Sequence, residues 1–276
     1  YIIIDEVHRA GAKSYNKIID YFHPKFMLGM SATPERTDGF NVFELFGNNI
    51  AYEIRLQRAL EENLLVPFHY YGVCDFEING ELIDDQRVLT QIEQRERISF
   101  LLERIEYFGH GGEKLRGLVF CARKKEGRVI ASLLKENGYK AVFLSGEDSQ
   151  EYRLEQIKSL ESGLLDYIVT VDIFNEGIDI PSINQVVMLR QTKSSIIFIQ
   201  QLGRGLRLDN KKEYLVAIDF IGNYRNNFLI PKALSGDNTY NKDALRKFVS
   251  DTNYMTGLSS VNFEEVAKQR IYQSIN

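Results

Sequence analysis

The sequence is poor in cysteine and has no long apolar run. Its 276 residues contain two cysteines, Cys74 and Cys121, which fall in apolar stretches far apart in the chain. So few cysteines exclude a disulfide framework and offer no cluster for a metal ion, and we expect a reducing compartment, the cytoplasm. No apolar run approaches the roughly 20 residues that a membrane-spanning helix needs, so a membrane is not an expected partner.

An excess of charge of one sign is missing as well. The 34 lysines and arginines stand against 38 aspartates and glutamates, and the net charge of −4 excludes an obvious polyanion binder. A whole-chain sum can nevertheless hide a local basic surface. Residues 75–106 hold nine acidic residues and four arginines, a balance of −5, whereas residues 113–140 hold eight basic and three acidic residues, a balance of +5.

Short apolar stretches alternate with amphipathic helical stretches over most of the length. Eight are predicted as strands: 1–4, 26–30, 66–73, 117–121, 141–144, 167–171, 185–189 and 214–219. Six are predicted as helices: 13–22, 55–63, 84–108, 125–137, 150–163 and 195–202. Near-continuous apolar strands separated by helices predict an α/β fold, with a parallel sheet covered on both faces and working loops at the carboxyl ends of its strands.

The pattern also suggests three parts. A second unit is expected to begin at about residue 66, after a first unit of residues 1–65. Residues 223–276 are polar with weaker periodicity, and their role is not assigned. An initiator methionine is missing, and Tyr1 already lies in a predicted strand, so we expect the sequence to be a piece of a longer protein.

The stretch YIIIDEVH places Asp5 and Glu6 at the end of a predicted strand, with His8 two residues on. A carboxylate there suits Mg²⁺, which prefers oxygen ligands, and a second carboxylate can orient a water for attack on a phosphate. A simpler interpretation is that the pair begins a turn in which Asp5 caps the next helix. A metal-dependent hydrolase built on these three residues is a third interpretation, although no second histidine cluster supports it.

Further polar stretches follow predicted strands. They are MLGMSATPER, GLVFCARKKE, FLSGEDSQEYR, IVTVDIFNEGIDIP and IFIQQLGRGLR. The last one puts Arg204 and Arg207 three residues apart, which predicts one helical face that can reach a phosphate chain bidentately. Each stretch alone would be a weak signal.

Their order decides the interpretation. DEVH, SAT, a strand with a basic exit, TVDIFNEGIDIP and QQLGRGLR follow one another as motifs II to VI do in the superfamily 2 helicases, and residues 1–222 resemble that family. The family includes DEAD-box, DEAH-box and restriction-subunit-like ATPases, and DEVH with Gln200 is closer to the DNA-directed and restriction-type members. The resemblance implies RecA-like lobes, with ATP and Mg²⁺ as cofactors and nucleic acid, DNA rather than RNA, as the partner.

The resemblance also implies roles for single residues around the nucleotide. Asp5 is expected to hold the magnesium ion and Glu6 the hydrolytic water, while His8 couples the site to the second lobe through Gln200. Arg204 and Arg207 are expected to act as arginine fingers that stabilise charge on the γ-phosphate in the transition state.

Two further pairs are assigned by the same resemblance. Ser31 and Thr33 are expected to couple hydrolysis to movement on nucleic acid. Asp179 is expected to bind the ribose of ATP, with Gly177 leaving room for the nucleotide.

Nucleic acid is expected at the opposite rim of the second lobe. Ser145 and Gly146 offer a hydroxyl and backbone N–H groups, Arg123 and Lys124 offer charge, and Thr170 stands next to the position where many relatives have a phosphate-binding threonine. The simpler interpretations are a strand-ending turn for Ser145–Gly146 and a solvated first helical turn for Arg123–Lys124.

One motif of the family is absent from these residues. No GxxxxGK[ST] phosphate loop occurs, and the glycine cluster GHGGEKLRG lacks its spacing. We therefore interpret residues 1–65 as a remnant of the first RecA-like lobe, 66–222 as a complete second lobe and 223–276 as an extension. The function expected is that of an ATP-dependent helicase or translocase, inactive as this piece alone. The alternative is a non-catalytic docking or restriction-complex module with a vestigial ATPase.

Overall fold

The computed structural model describes residues 1–31, 41–78, 81–82, 91–171, 173, 180–190, 194–221, 226–236, 241–251 and 258–275. The chain divides into two compact units, unit 1 (Tyr1–Ile54) and unit 2 (Arg55–Asn276). Among the described helices, none is both long and apolar enough to cross a membrane.

Unit 1 is built around two short parallel strands. Its elements are β1 (Ile2–Ile4), the 3₁₀ helix η1 (Val7–Arg9), α1 (Lys13–Phe22), β2 (Met27–Gly29) and the 3₁₀ helix η2 (Val42–Phe46). Strands β1 and β2 pair with Ile3 opposite Leu28. Among the described residues of unit 1, the buried core is small and consists of Ile4, Val7, Ala10 and Val42.

Unit 2 contains most of the secondary structure. Its strands are β3 (Phe68–Cys74), β4 (Glu77–Ile78), β5 (Glu81–Leu82), β6 (Gly117–Cys121), β7 (Ala141–Leu144), β8 (Tyr167–Thr170), β9 (Gln185–Leu189), β10 (Leu215–Ile221) and β11 (Ser260–Phe263). Its helices are α2 (Leu56–Glu61), α3 (Gln91–Phe108), α4 (Lys124–Glu136), α5 (Gln150–Glu161), α6 (Ser195–Gly203), α7 (Leu229–Ser235), α8 (Lys242–Ser250) and α9 (Glu265–Ile275).

Seven of these strands form one parallel sheet in the order β11-β3-β10-β9-β6-β8-β7. Successive residues of β6 alternate between two cores, because side chains of a strand point to opposite faces. Leu118 and Phe120 pack with helices α5 to α9 on one face, whereas Val119 and Cys121 pack with α3 and α4 on the other. The predicted α/β class, a parallel sheet with helices on both faces, is confirmed.

The boundary between the two units lies earlier than the predicted residue 66. It falls between Ile54 and Arg55, because α2 belongs to the second compact unit and its Leu60 is buried in the core of that unit. Residues after 222 also join unit 2: β11 pairs with β3 along Ser260–Phe263 and forms an edge of the sheet. The sequence gives little sign of this, since β11 is four residues long and its partner lies some 190 residues away.

Helix α9 should therefore contribute to the stability of unit 2. Ile271 of α9 is fully buried in the core, and replacing it with alanine removes buried methyl groups and leaves a cavity. We expect Ile271→Ala to lower the free energy of unfolding, measured in urea, by about 2–5 kcal/mol. Val266→Ala on the exposed side of the same helix is the control, and equal losses in both variants would contradict the role of α9.

A buried carboxyl group lies inside the sheet. The hydroxyl of Tyr70 on β3 donates to Oδ2 of Asp219 on β10 at 2.7 Å, and both side chains are buried. Burial raises the pKa of Asp219 from 3.8 to about 7, although the hydrogen bond from Tyr70 acts in the opposite direction. Asp219 is thus protonated in the folded chain over a pH range in which it is ionised in the unfolded chain.

This difference gives stability a pH dependence with a defined sign. Between about pH 4 and 7 the folded state binds the additional proton, so the stabilisation from Asp219 is complete below that window and is lost as the pH rises through it. Asp219→Asn keeps an acceptor for Tyr70 and cannot ionise. We expect unfolding measured at several pH values to show wild type losing stability relative to this variant from pH 4 to 7. A constant difference would contradict the shift.

Candidate functional site

Asp5 and Glu6 follow β1 directly and differ in their surroundings. Asp5 is exposed, and its Oδ1 accepts the backbone N–H of Glu6 at 2.9 Å; it does not cap η1, whose N-cap residue is Glu6. Glu6 adopts a left-handed backbone conformation with φ 50° and ψ 46°. The left-handed conformation costs free energy for any residue other than glycine, and such positions are enriched at functional sites.

His8 of η1 links Glu6 to the end of the neighbouring strand. It is buried, and its Nδ1 lies 3.0 Å from Oγ of Ser31 and 3.2 Å from Oε2 of Glu6. A proton on Nδ1 can be donated to the hydroxyl of Ser31, whereas the contact with Glu6 is a close approach only. Oε2 of Glu6 is buried and has no partner with hydrogen-bond geometry in the described part of the chain. The structure thus brings Glu6, His8 and Ser31 together.

Close backbone packing holds these two strand ends side by side. The N–H of Val7 donates to the carbonyl of Met30 at 2.9 Å, and the N–H of Met30 donates to the carbonyl of Ile4 at the same distance. A Cβ on Gly29 would lie 2.5 Å from the ring of Phe46. A side chain at Gly29 would displace Phe46, so glycine suits this position, two residues before Ser31.

Arg204 and Arg207 do not lie on a helical face, and that prediction is wrong. Helix α6 ends at Gly203, and the N–H groups of Gly205 and Leu206 close a turn on the carbonyls of Leu202 and Gly203. Gly205 packs closely against Leu215, and a Cβ on it would lie 2.3 Å from that side chain. We call residues 203–207 the arginine turn.

The two arginines of this turn differ in exposure. Arg207 is exposed and Arg204 is half-buried, while Gln200 lies half-buried on α6 before the turn. The turn lies at the amino-terminal edge of the sheet, because the carbonyl of Leu206 accepts from Val66, just before β3. Leu208 follows Arg207 and lines an open cavity of about 460 Å³ together with Val66 and Lys212.

Sequence reasoning missed Lys212. Its side chain is buried, and its Nζ donates to the carbonyls of Gly205 and Ile183, each at 2.7 Å. In the sequence it stands beside Lys211 before a strand, and two adjacent lysines are most simply interpreted as solvated. No local pattern separates the buried lysine from the exposed one.

The predicted nucleic-acid residues gather at the opposite, carboxyl-terminal edge of three neighbouring strands. Phe120 of β6 pairs with Thr170 of β8, and Thr170 pairs with Leu144 of β7, so the three strands end level with one another. Parallel strands in register bring the residues that follow them to one edge. Arg123, Lys124, Ser145 and Gly146 follow β6 and β7.

Two members of this group are occupied or enclosed. Ser145 is fully buried, its N–H donates to Oδ2 of Asp148 at 2.6 Å, and its hydroxyl also contacts that carboxylate at 3.3 Å. This is the strand-ending turn of the simpler interpretation. Thr170 is fully buried, and its Oγ1 has no hydrogen-bond partner among the described residues. Gly146 is exposed.

The two basic members are exposed at the start of α4. Arg123 is its N-cap residue and Lys124 its first residue, which agrees with a solvated first helical turn. Lys124 Nζ lies 2.7 Å from Oε1 of Glu147, and Arg128 lies 3.7 Å from its other oxygen. The hydrogen bond from Lys124 lowers the pKa of Glu147, so this carboxylate stays charged beside the basic edge.

Helix α4 is also held by a buried ion network. Arg97 of α3 donates to both oxygens of Asp75, at 2.9 Å and 3.2 Å, and to Glu126 in the first turn of α4. Burial acts to lower the pKa of Arg97, but the two carboxylates outweigh it and raise the pKa. The network fixes the end of α4 that presents Arg123 and Lys124.

Some predicted residues lie outside the part of the chain that the structure describes. These are Thr33, Gly177 and Asp179. Within the described residues no group of three or more histidine, cysteine, aspartate or glutamate side chains is arranged to hold a metal ion.

Comparison with known families agrees with the motifs. Residues 96–209 match the family described as helicase conserved C-terminal domain, and residues 1–36 match the one described as type III restriction enzyme, res subunit. IRC3 of Saccharomyces cerevisiae, named as an ATP-dependent helicase, is 28% identical over 80% of this chain and 34% of its own length. A type I restriction enzyme EcoAI endonuclease subunit of Escherichia coli is 26% identical over 79% of this chain and 31% of its own length.

Solved structures share the fold. The type ISP restriction-modification enzyme LlaBIII, bound to DNA, has a TM-score of 0.63 at 16% identity and covers 99% of this chain and 22% of its own. Dbp5 of S. cerevisiae, bound to RNA and ADP BeF3, has a TM-score of 0.55 at 18% identity and covers 100% of this chain and 63% of its own. The chain spans about a third of the two curated relatives. The resemblance to the superfamily 2 helicases is confirmed.

Proposed function

We propose that this chain, a relative of the superfamily 2 helicases, is part of a longer nucleic-acid-dependent ATPase that moves along or remodels DNA. The observation that favours this most is the contact of His8 with both Glu6 and Ser31. A carboxylate after one strand is linked through one imidazole to a hydroxyl after the next. A change at Glu6 can therefore be transmitted to the second strand end without a large movement.

Asp5 and Glu6 fit a magnesium-bound nucleotide. Asp5 offers an exposed carboxylate, and Mg²⁺ is usually held by one or two carboxylates, substrate phosphates and waters rather than by an all-protein cage. When bound, MgATP supplies the phosphoryl group to be transferred to water. Glu6 is half-buried next to Asp5, and its carboxylate, which contacts His8, is proposed to accept from that water.

Arg204 and Arg207 are proposed to act on the phosphates of the same nucleotide in the full-length protein. The arginine turn presents Arg207 to solvent while Leu206 between them is buried, so the backbone is anchored and the guanidinium is accessible. Such a group can stabilise charge that develops on phosphate oxygens. Gln200, half-buried one turn earlier, is proposed to couple with His8.

The carboxyl-terminal edge of unit 2 is proposed to bind the nucleic-acid backbone. Arg123, Lys124 and the exposed Gly146 are offered there. The Lys124–Glu147 pair is exposed, and exposed ion pairs contribute little stability, so phosphates can replace the carboxylate at small cost. The match to restriction-enzyme relatives supports DNA over RNA.

Unit 1 is proposed to be the remnant of a larger lobe. Large apolar side chains are exposed on it, among them Tyr1, Ile3, Tyr21, Phe22 and Phe26. An apolar surface of this kind favours coverage by other protein. The 276 residues contain no GxxxxGK[ST] phosphate loop, and we therefore propose that this chain alone does not turn over ATP.

The first test is the ATPase activity of the full-length protein with and without polynucleotide. We expect single- or double-stranded DNA to raise the rate about tenfold or more over the protein alone, and RNA to raise it less, because phosphate contacts at the carboxyl-terminal edge couple to hydrolysis. Phosphate release is measured at fixed salt, since these contacts weaken as salt rises.

The 276-residue chain is the control and should show no turnover with any polynucleotide. No stimulation of the full-length protein by DNA or RNA would contradict the translocase function. Absence of ATP turnover altogether would favour the alternative of a docking module in a restriction-type complex.

Arg207 provides the second test. We expect Arg207→Ala in the full-length protein to lower kcat about a hundredfold or more while KM for ATP changes little, because a transition-state contact affects kcat alone. Arg58→Ala is the matched control, since Arg58 is exposed on α2 of unit 2 and its Nε donates to Oε1 of Glu62 at 2.7 Å. A loss shared equally between kcat and KM would rule out the transition-state role.

A further inference from the structure

The side chain of Lys212, which lies outside the arginine turn, binds its backbone. The carbonyl of Gly205, between the two arginines in sequence, accepts a hydrogen bond from Nζ of Lys212 at 2.7 Å. The next carbonyl, that of Leu206, accepts from the backbone N–H of Val66 at 2.8 Å. Two consecutive carbonyls of the turn therefore accept hydrogen bonds from residues outside it, one earlier and one later in the sequence.

The same ammonium group also binds a second segment. Nζ of Lys212 donates to the carbonyl of Ile183 at 2.7 Å, in the turn that leads into β9. Ile180 and Ile183 of that turn are buried in the core, so its carbonyl is a rigid point of attachment. The stretch GIDIP, which contains Gly177 and Asp179, runs directly into this turn. Lys212 thus joins the arginine turn to the segment that follows Gly177 and Asp179 in the sequence.

Burying a lysine side chain costs free energy, and the groups that Lys212 contacts indicate its role. Both acceptors are backbone carbonyls rather than carboxylates, so the side chain orders backbone and does not neutralise an acid. Burial lowers the pKa of Lys212 to about 8, and Asp209 acts to raise it. Lys211, one residue earlier, is exposed and reaches the carbonyl of Glu161 at 3.3 Å instead.

We propose that Lys212 is a positioning residue for the arginine turn, fixing the orientation of Arg204 and Arg207 by tying the Gly205 carbonyl to that of Ile183. The inference rests on the proposed function for its effect on catalysis. Its structural part, the anchoring of the turn, stands by itself. Lys212 touches no reacting group. It acts only through the backbone from which the arginines extend.

Two variants of the full-length protein test the catalytic part. Lys212→Met keeps the length of the stem and removes every donor, whereas Lys212→Gln keeps a shorter amide donor. We expect kcat to fall about tenfold or more in the methionine variant and less in the glutamine variant, with KM for ATP within about twofold of wild type. Lys211→Met is the matched control and should leave both constants unchanged.

Hydrogen exchange of the 276-residue chain, followed by mass spectrometry, tests the anchoring part without any activity. We expect peptides that cover 203–208 to exchange faster in Lys212→Met than in wild type, while peptides from β6 and β9 keep their protection. Unchanged exchange at 203–208 would overturn the proposal, because the turn would then be held without Lys212. If the methionine variant does not fold, the glutamine variant is used for both measurements.

The outcomes separate this inference from the proposed function. If Arg207→Ala leaves kcat unchanged, the proposed function of the arginine turn fails, whatever Lys212 does. If Arg207→Ala lowers kcat but a folded Lys212 variant with faster exchange at 203–208 does not, the positioning role alone is overturned. A loss of kcat in Lys211→Met of the same size would also overturn it, since charge near the turn would then explain the effect.

Discussion

The parallel register of the sheet in unit 2 is the constraint on which the candidate site depends. Strands β6, β8 and β7 end level with one another, so the residues that follow them meet at the carboxyl-terminal edge. Helix α6 starts after β9 and returns the chain to the other edge, where the arginine turn lies next to the starts of β3 and β10. One sheet thereby separates the proposed nucleic-acid surface from the proposed phosphate-binding arginines.

Three buried ionisable side chains of unit 2 are stabilised in different ways. Asp219 accepts a hydrogen bond from Tyr70 and is held partly protonated near neutral pH, so the cost of burying a full charge is reduced. Arg97 is balanced by Asp75 and Glu126. Lys212 is balanced by two carbonyl dipoles. The Asp219–Tyr70 pair lies between two strands, and the Arg97 network joins two helices to a strand end. Lys212 is attached to the arginine turn and the Arg97 network to the first turn of α4, so both hold segments that bear proposed functional residues.

In unit 1 the functional candidates are held by strain and by packing together. The left-handed conformation of Glu6 turns the chain at once into η1, which brings His8 back toward the strand ends. Gly29 allows Phe46 and Val7 to pack against β2, so the second strand end stays close to the first. The contact of His8 with Ser31 is found where these two features meet.

Local pattern was enough to determine most of the elements and the family. The helix predicted at 13–22 and the strands at 117–121, 141–144 and 185–189 have the same bounds in the structure, because each is a short apolar or amphipathic run between clear turns. The turn that replaces a helical face at Arg204 and Arg207, the attachment of β11 to β3 and the burial of Lys212 were decided only by tertiary structure. Each depends on a neighbour distant in sequence, namely Leu215 against Gly205, β3 beside β11 and the carbonyl of Ile183 near Lys212. Periodicity and motif spacing report the preferences of a segment, whereas these features arise from the space and hydrogen-bonding groups that the rest of the fold supplies.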